Sequence, residues 1–169
     1  MPFAGEPSPL SSDPTALCAG YLDWYATVLL RRLEGLSDVQ VRTPAVPSGW
    51  SLLGLVQHSA CVRRFWVRHV FSGEDVDFSW PGTAEQEWVP RPEDTVAGVS
   101  AFYRGEHENS LRVLRSHDAA TTATRAYGGT GTRPTLAWIA FHLLQESARH
   151  AGHADVAREL LDGATELDP

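Results

Sequence analysis

Ala137-Trp-Ile-Ala-Phe-His-Leu-Leu-Gln-Glu-Ser-Ala-Arg-His-Ala-Gly-His-Ala-Asp-Val156 is the stretch whose reading decides the fold. Leu136, Ile139 and Leu143 begin an apolar series, and the same three- and four-residue steps continue through Glu146, His150 and His153 to Ala157 and Leu160. That spacing predicts one face of a long α-helix. A carboxylate and two imidazoles on a core-facing stripe are costly unless something satisfies them. Glu146 and His150 are one turn apart, about 6 Å along the axis. That separation suits two ligands of a single metal ion.

Upstream, three more helices are expected. Asp13-Pro14 reads as an N-cap followed by proline at the first helical position, and Leu17, Tyr21, Trp24 and Val28 carry a helical pattern on to about Leu36. A polar stretch broken by Pro44 and Pro47 follows. Ser48 or Ser51 then caps a second helix with Leu52, Leu55, Ser59, Val62 and Trp66 on its core face, ending near Gly73. Residues 74–92 show no helical pattern, and a connection of that length inside a domain is often functional. The third helix runs from about Glu93 to Ser116, with Val96, Val99, Tyr103, Glu106, Ser110 and Leu114 on one face. A Thr- and Gly-rich connector, 118–133, leads to Pro134, which opens the fourth helix; Gly163 stops it. The fold class is therefore all-α, a four-helix bundle with a long irregular connection between helices two and three. Residues 1–12 are expected to be a flexible arm, 13–163 one domain and 164–169 a tail.

Composition narrows the function. The formal charge is −7 and no basic cluster occurs, which argues against nucleic acid and anionic membrane as partners. No apolar run approaches the roughly 20 residues of a membrane span, and the N-terminus does not pattern as a secretory signal. Two cysteines, Cys18 and Cys61, make neither a disulfide framework nor a metal knuckle. A cytoplasmic protein with reduced thiols is expected. Six tryptophans are many for 169 residues, and they suit either a core or a pocket wall.

A metal pair on the fourth helix needs a third ligand from a facing helix. His58, on the flank of the second helix's core face, is the best placed. His69 lies about three turns further on, and Cys61 points sideways. His142, one turn before Glu146, makes a competing pair with it. Glu106 reads either as a carboxylate orienting a ligand imidazole or as a partly exposed helix-end residue. Arg149 and Asp155 read as surface or interhelical ion-pair groups, and His107 and His117 carry no signal.

Trp50-Ser-Leu-Leu-Gly-Leu-Val-Gln-His58, with His142-Leu-Leu-Gln-Glu-Ser-Ala-Arg-His-Ala-Gly-His-Ala-Asp155 far downstream, resembles the DinB-like superfamily. More closely, the two motifs resemble its actinobacterial subgroup of mycothiol-dependent transferases and maleylpyruvate isomerase N-terminal-type domains. The resemblance implies one metal held by His58, Glu146 and His150. Zinc is the first choice for two histidines and a glutamate, and nickel, manganese or iron accept the same set. It further implies a thiol S-transferase, with mycothiol as co-substrate and detoxification as its sense. In this reading Trp80, Trp88 and Tyr127 wall the substrates, and His153 is the nearest spare acid or base, the catalytic residue. Arg63, Arg64, Arg68 and Arg125 are candidates for the thiol cofactor by charge alone. Two other classes remain open: a metal-dependent hydrolase or isomerase without a thiol, and a non-catalytic metal-binding bundle, dimeric through apolar faces of helix one or three.

Overall fold

The computed structural model describes residues 5–44, 46–77, 88–129 and 131–165. Four long helices carry the bundle. α1 spans Pro14–Arg31, and Asp13 caps it by accepting from the amides of Thr15 and Ala16. α2, Asp38–Arg42, is a single turn closed by a Ser37/Gln40 capping box. α3, Leu52–Arg63, starts at Ser51, whose side chain accepts from the Gly54 amide, and continues without a break as a π-helical segment, Arg64–Phe71. α4 is Val96–Ser116, capped by Thr95, and α5 is Leu136–Asp162, capped by Thr135 and ended by left-handed Gly163. No strand occurs among the described residues; Thr122 and Thr135 form one isolated bridge. The all-α bundle read from the sequence is what the chain adopts.

Several expectations need correction. α2 sits in the stretch read as irregular, because the pattern there is one turn long and its capping box is the only signal. The core face of α1 is Cys18, Leu22, Ala26 and Leu29, not the Tyr21/Trp24 series. Small residues at Cys18, Ala19 and Ala26 make room for close helix packing, and Tyr21, Trp24 and Tyr25 group instead on the half-buried flank. On α5 the buried path is Leu143, Ser147, His150, Ala154 and Ala157, so His153 is exposed and Leu160 is 62% exposed. The large apolar side chains left exposed within the long helices are Trp138, Phe141, Val156 and Leu160, all on α5 rather than on helix one or three.

The apolar interior forms two clusters. One packs Leu22, Trp66, Val70, Leu114, Ile139 and Leu143; the other packs Leu29, Leu52, Leu55, Val56, Val99, Tyr103 and Ala157. A polar layer separates them on all four long helices: Asp23 on α1, Arg63 at the end of α3, His107 on α4 and Ser147 on α5. Arg63 is 3% exposed; its guanidinium donates to Ser147 Oγ at 2.9 Å and lies over the Tyr103 ring. His107 Nε2 lies 3.0 Å from Asp23 Oδ1. Leaving such groups without partners in an interior costs about 1–3 kcal/mol each.

At the far end the connector after α4 closes the π segment. The amides of Thr124 and Arg125 donate to the carbonyls of Phe71 and Val70, both at 2.9 Å. Those carbonyls are the ones a helix end leaves without partners. No helix among the described residues is long and apolar enough to cross a membrane.

Candidate metal centre

The polar interval of α5 holds the site. Glu146 and His150 are one turn apart, and α3 lies alongside, its Leu52–Val56 turns buried on every side. His58 is itself buried and turned toward α5. His58, Glu146 and His150 each offer a ligand atom, and these atoms lie within 4.8 Å of one another. The two imidazoles meet edge to face, 5.1 Å between centroids at 86°. His150 Nε2 is 3.1 Å from Glu146 Oε2, yet neither ring nitrogen of His150 makes a well-aligned hydrogen bond, and both are buried. Glu146 is the more open member, its side chain 19% exposed and edged by Arg149 at 3.8 Å and by the Gln145 amide.

Burial sets the electrostatics. It pushes His58 down from 6.5 to about 3, helped by the neighbouring His150. It pushes His150 down to about 4, against the opposing pull of Glu146. Both imidazoles are thus neutral at neutral pH, the form that ligates a metal. Two neutral nitrogens and a carboxylate oxygen, with the buried His150 nitrogens lacking donors and acceptors, fit a divalent ion.

Trp88 covers this group. Its ring stacks on His58 at 3.7 Å and meets His150 edge-on at 5.7 Å. The segment that delivers it is pinned from three sides. Arg42 of α2 donates to the carbonyls of Arg91 and Asp94. Gln57, beside His58, donates to Asp94 Oδ2 at 2.9 Å. Gly54 lets the chain pass: a Cβ there would lie 1.8 Å from the Trp88 carbonyl oxygen. Of the wall residues read from the sequence, Trp88 is at the site, Trp80 lies outside the described residues, and Tyr127 packs on Trp66 and Trp138 further along α5. Gly54 and Arg42 were missed; the single glycine inside an apolar helix was the available signal for a close backbone approach.

The other residues separate cleanly. His142 stacks on Trp138 and is not one of the three. His153 packs on Trp50 and lies 5.7 Å, ring to ring, from His150, at the exposed edge of the group. His69 contacts Arg125. Cys61 is buried and is not one of the three either. Glu106 is neither partner to a ligand imidazole nor half exposed. It is 4% exposed and pairs with Arg64 Nε at 2.6 Å and Arg68 Nη1 at 3.3 Å. The four arginines singled out by charge are all engaged in the fold: Arg63 in the polar layer, Arg64 and Arg68 on Glu106, and Arg125 on the Gly73 carbonyl. Asp155 makes the interhelical pair expected of it, with Arg32 at 2.6 Å.

An all-α bundle that gathers two imidazoles and a carboxylate from facing helices defines a class of protein able to hold one metal ion in its interior. The family described as Mycothiol-S-transferase matches residues 17–163, and the chain belongs to that family, within the DinB-like superfamily. A search of curated proteins returned no match.

Proposed function

We propose that this chain is a metal-dependent thiol S-transferase that conjugates mycothiol to a small electrophile. His58, Glu146 and His150 are the ligands, and zinc is the preferred ion. The observation that carries the reading is the convergence of these three side chains from α3 and α5, with His150 buried and lacking aligned partners. Three protein ligands leave coordination positions open, the pattern of a catalytic rather than a structural site. Family membership supports the choice of thiol. Held by these three residues, a divalent ion would supply the positive charge that lowers a thiol's pKa toward neutrality.

The protein's own residues supply the rest. Trp88 keeps water from His58 and His150 on one side. His153, exposed and beside His150, takes the thiol proton and passes it to solvent, worth about 10²–10⁴ in rate for a placed base. The reaction belongs in the cytoplasm, where such thiols stay reduced.

Elemental analysis with and without chelation tests this. One ion per chain is expected in the wild type and none in His58→Ala, together with conjugation of mycothiol that chelation abolishes. Conjugation that survives full chelation sinks the metal assignment. Turnover unchanged by adding or removing the thiol sinks the transferase in favour of hydrolysis or isomerisation.

A further inference from the structure

One turn and two turns before Glu146 on α5 stand His142 and Trp138. They stack nearly parallel, 5.1 Å apart at 6°. Trp66, two turns beyond His58 on the continuation of α3, meets both: His142 at 4.9 Å and Trp138 at 5.2 Å. Tyr127, from the connector between α4 and α5, closes on Trp66 at 4.7 Å and on Trp138 at 5.6 Å. The same two helices that present the ligands therefore present, about 6–12 Å along their shared seam, a continuous bank of rings. His142 is one turn from Glu146 on α5, so bank and ligand group are neighbours.

Core packing accounts for Trp66, which is 7% exposed, but not for Trp138, which is 43% exposed while held flat on His142. Trp138 is held in one orientation by three rings while part of it stays open to solvent, and an indole so held can serve as a stacking platform. Two indoles and a phenol are electron-rich, and their faces carry negative quadrupole density. Electron-rich rings repel one another face to face; a ring made electron-poor by nitro or carbonyl groups has the opposite quadrupole and stacks flat on them. Such a ring is also open to attack by a thiolate.

We propose that Trp138, His142, Trp66 and Tyr127 form the electrophile subsite and that its substrate class is an electron-poor aromatic ring bearing a leaving group. This rests on the transferase reading for its chemistry. The thiol loses its proton to the base, its sulfur forms a bond to the ring carbon, and the carbon–halogen bond breaks with the electron pair leaving on halide. Nothing is oxidised or reduced overall.

The test pairs binding with turnover. Binding of unreactive 2,4-dinitrotoluene by the purified full chain is measured by equilibrium dialysis for wild type, Trp138→Ala and Trp138→Phe. The expected result is about tenfold weaker binding for the Ala variant, with Phe recovering most of it. With mycothiol present, KM for 1-chloro-2,4-dinitrobenzene rises by a similar factor in Trp138→Ala, and iodoacetamide, which has no ring, changes less than twofold. No binding by the wild type, or equal binding by all three proteins, overturns the subsite. Binding that responds to Trp138 without any conjugation keeps the subsite and removes the transferase reading.

Discussion

Two carboxylates of the same bundle, one on α4 and one on α5, have opposite surroundings. Glu106 on α4 is 4% exposed, and one of its oxygens accepts from two guanidinium groups. Glu146 on α5 is more open, faces a neutral imidazole, and has only the exposed Arg149 for a charge partner. Depth of burial ranks Glu106 as the more unusual residue. The set of partners reverses the order. A carboxylate already neutralised by arginine has its charge satisfied by the protein, whereas one set among neutral nitrogens lacks a cation. The difference teaches that a metal site is marked by charge left over after the protein's own pairs are made.

His150→Ala should break the comparison most severely. It removes one of the three proposed ligands, so metal content is expected to fall from one ion per chain to none and turnover by at least about 10²-fold. Elemental analysis and conjugation rate check this. Glu106→Ala should do the reverse. The carboxylate is buried but Arg64 and Arg68 are about a third exposed, so solvent recovers part of the loss, and about 2–4 kcal/mol of stability is expected to go. Denaturant unfolding reads that loss, and metal content should not change. If Glu106→Ala empties the site instead, the distinction drawn here between the two carboxylates is wrong.

Gly54→Ala sharpens it at smaller scale. The added Cβ collides with the Trp88 carbonyl, so the segment must move and Trp88 must leave His58. About 1–3 kcal/mol of destabilisation is expected, with weaker metal binding although every ligand is intact. Competition with a chromophoric chelator measures the affinity.

The smallest effect concerns pH. His107, like His150, is buried and pushed down to about 4, chiefly by burial. Below 6.5 the unfolded chain takes up protons that the folded one refuses, so stability of the metal-free protein falls as pH drops from 6.5 toward 4. His58 extends the window to about 3. Saturating zinc should raise the midpoints and carry the slope owed to His58 and His150 below their metal-free range, because metal-bound nitrogens refuse protons still longer, and should leave the part owed to His107, which His107→Asn removes. Thermal midpoints across that range, with and without zinc, separate the two.

Much of this was legible in the sequence because the bundle's signals are local. Asp13, Ser51 and Gly163 mark helix ends through the backbone groups they satisfy or the turn they allow, the fourth long helix is capped by Thr135 just past the expected Pro134, and Glu146/His150 announce themselves by helical spacing. What was not legible depends on which of two plausible faces turns inward. Leu17–Tyr21–Trp24 and Cys18–Leu22–Ala26 are both helical stripes, and only close packing against another helix prefers the smaller one. His153 was placed on the core face for the same reason; the drift of 3.6 residues per turn carries it to the surface while Ala154 takes the interior. Arg63 was singled out for the thiol cofactor by its charge, because nothing local reveals that Ser147, 84 residues away, receives it. The role of Glu106 was hidden likewise in Arg64 and Arg68, 42 and 38 residues distant.

The polar layer that splits the interior has a consequence for how the molecule comes apart. The two apolar clusters are separate, and hydrogen-bonded and charged groups on all four long helices lie between them. Such a seam is where a bundle opens sub-globally, one half loosening while the other holds. An ion gripped by His58 and by the Glu146/His150 turn ties α3 to α5 at that level. It acts as a clasp on the weakest section of the bundle, so filling the site should slow amide exchange around residues 58–63 and 146–150 more than at either end.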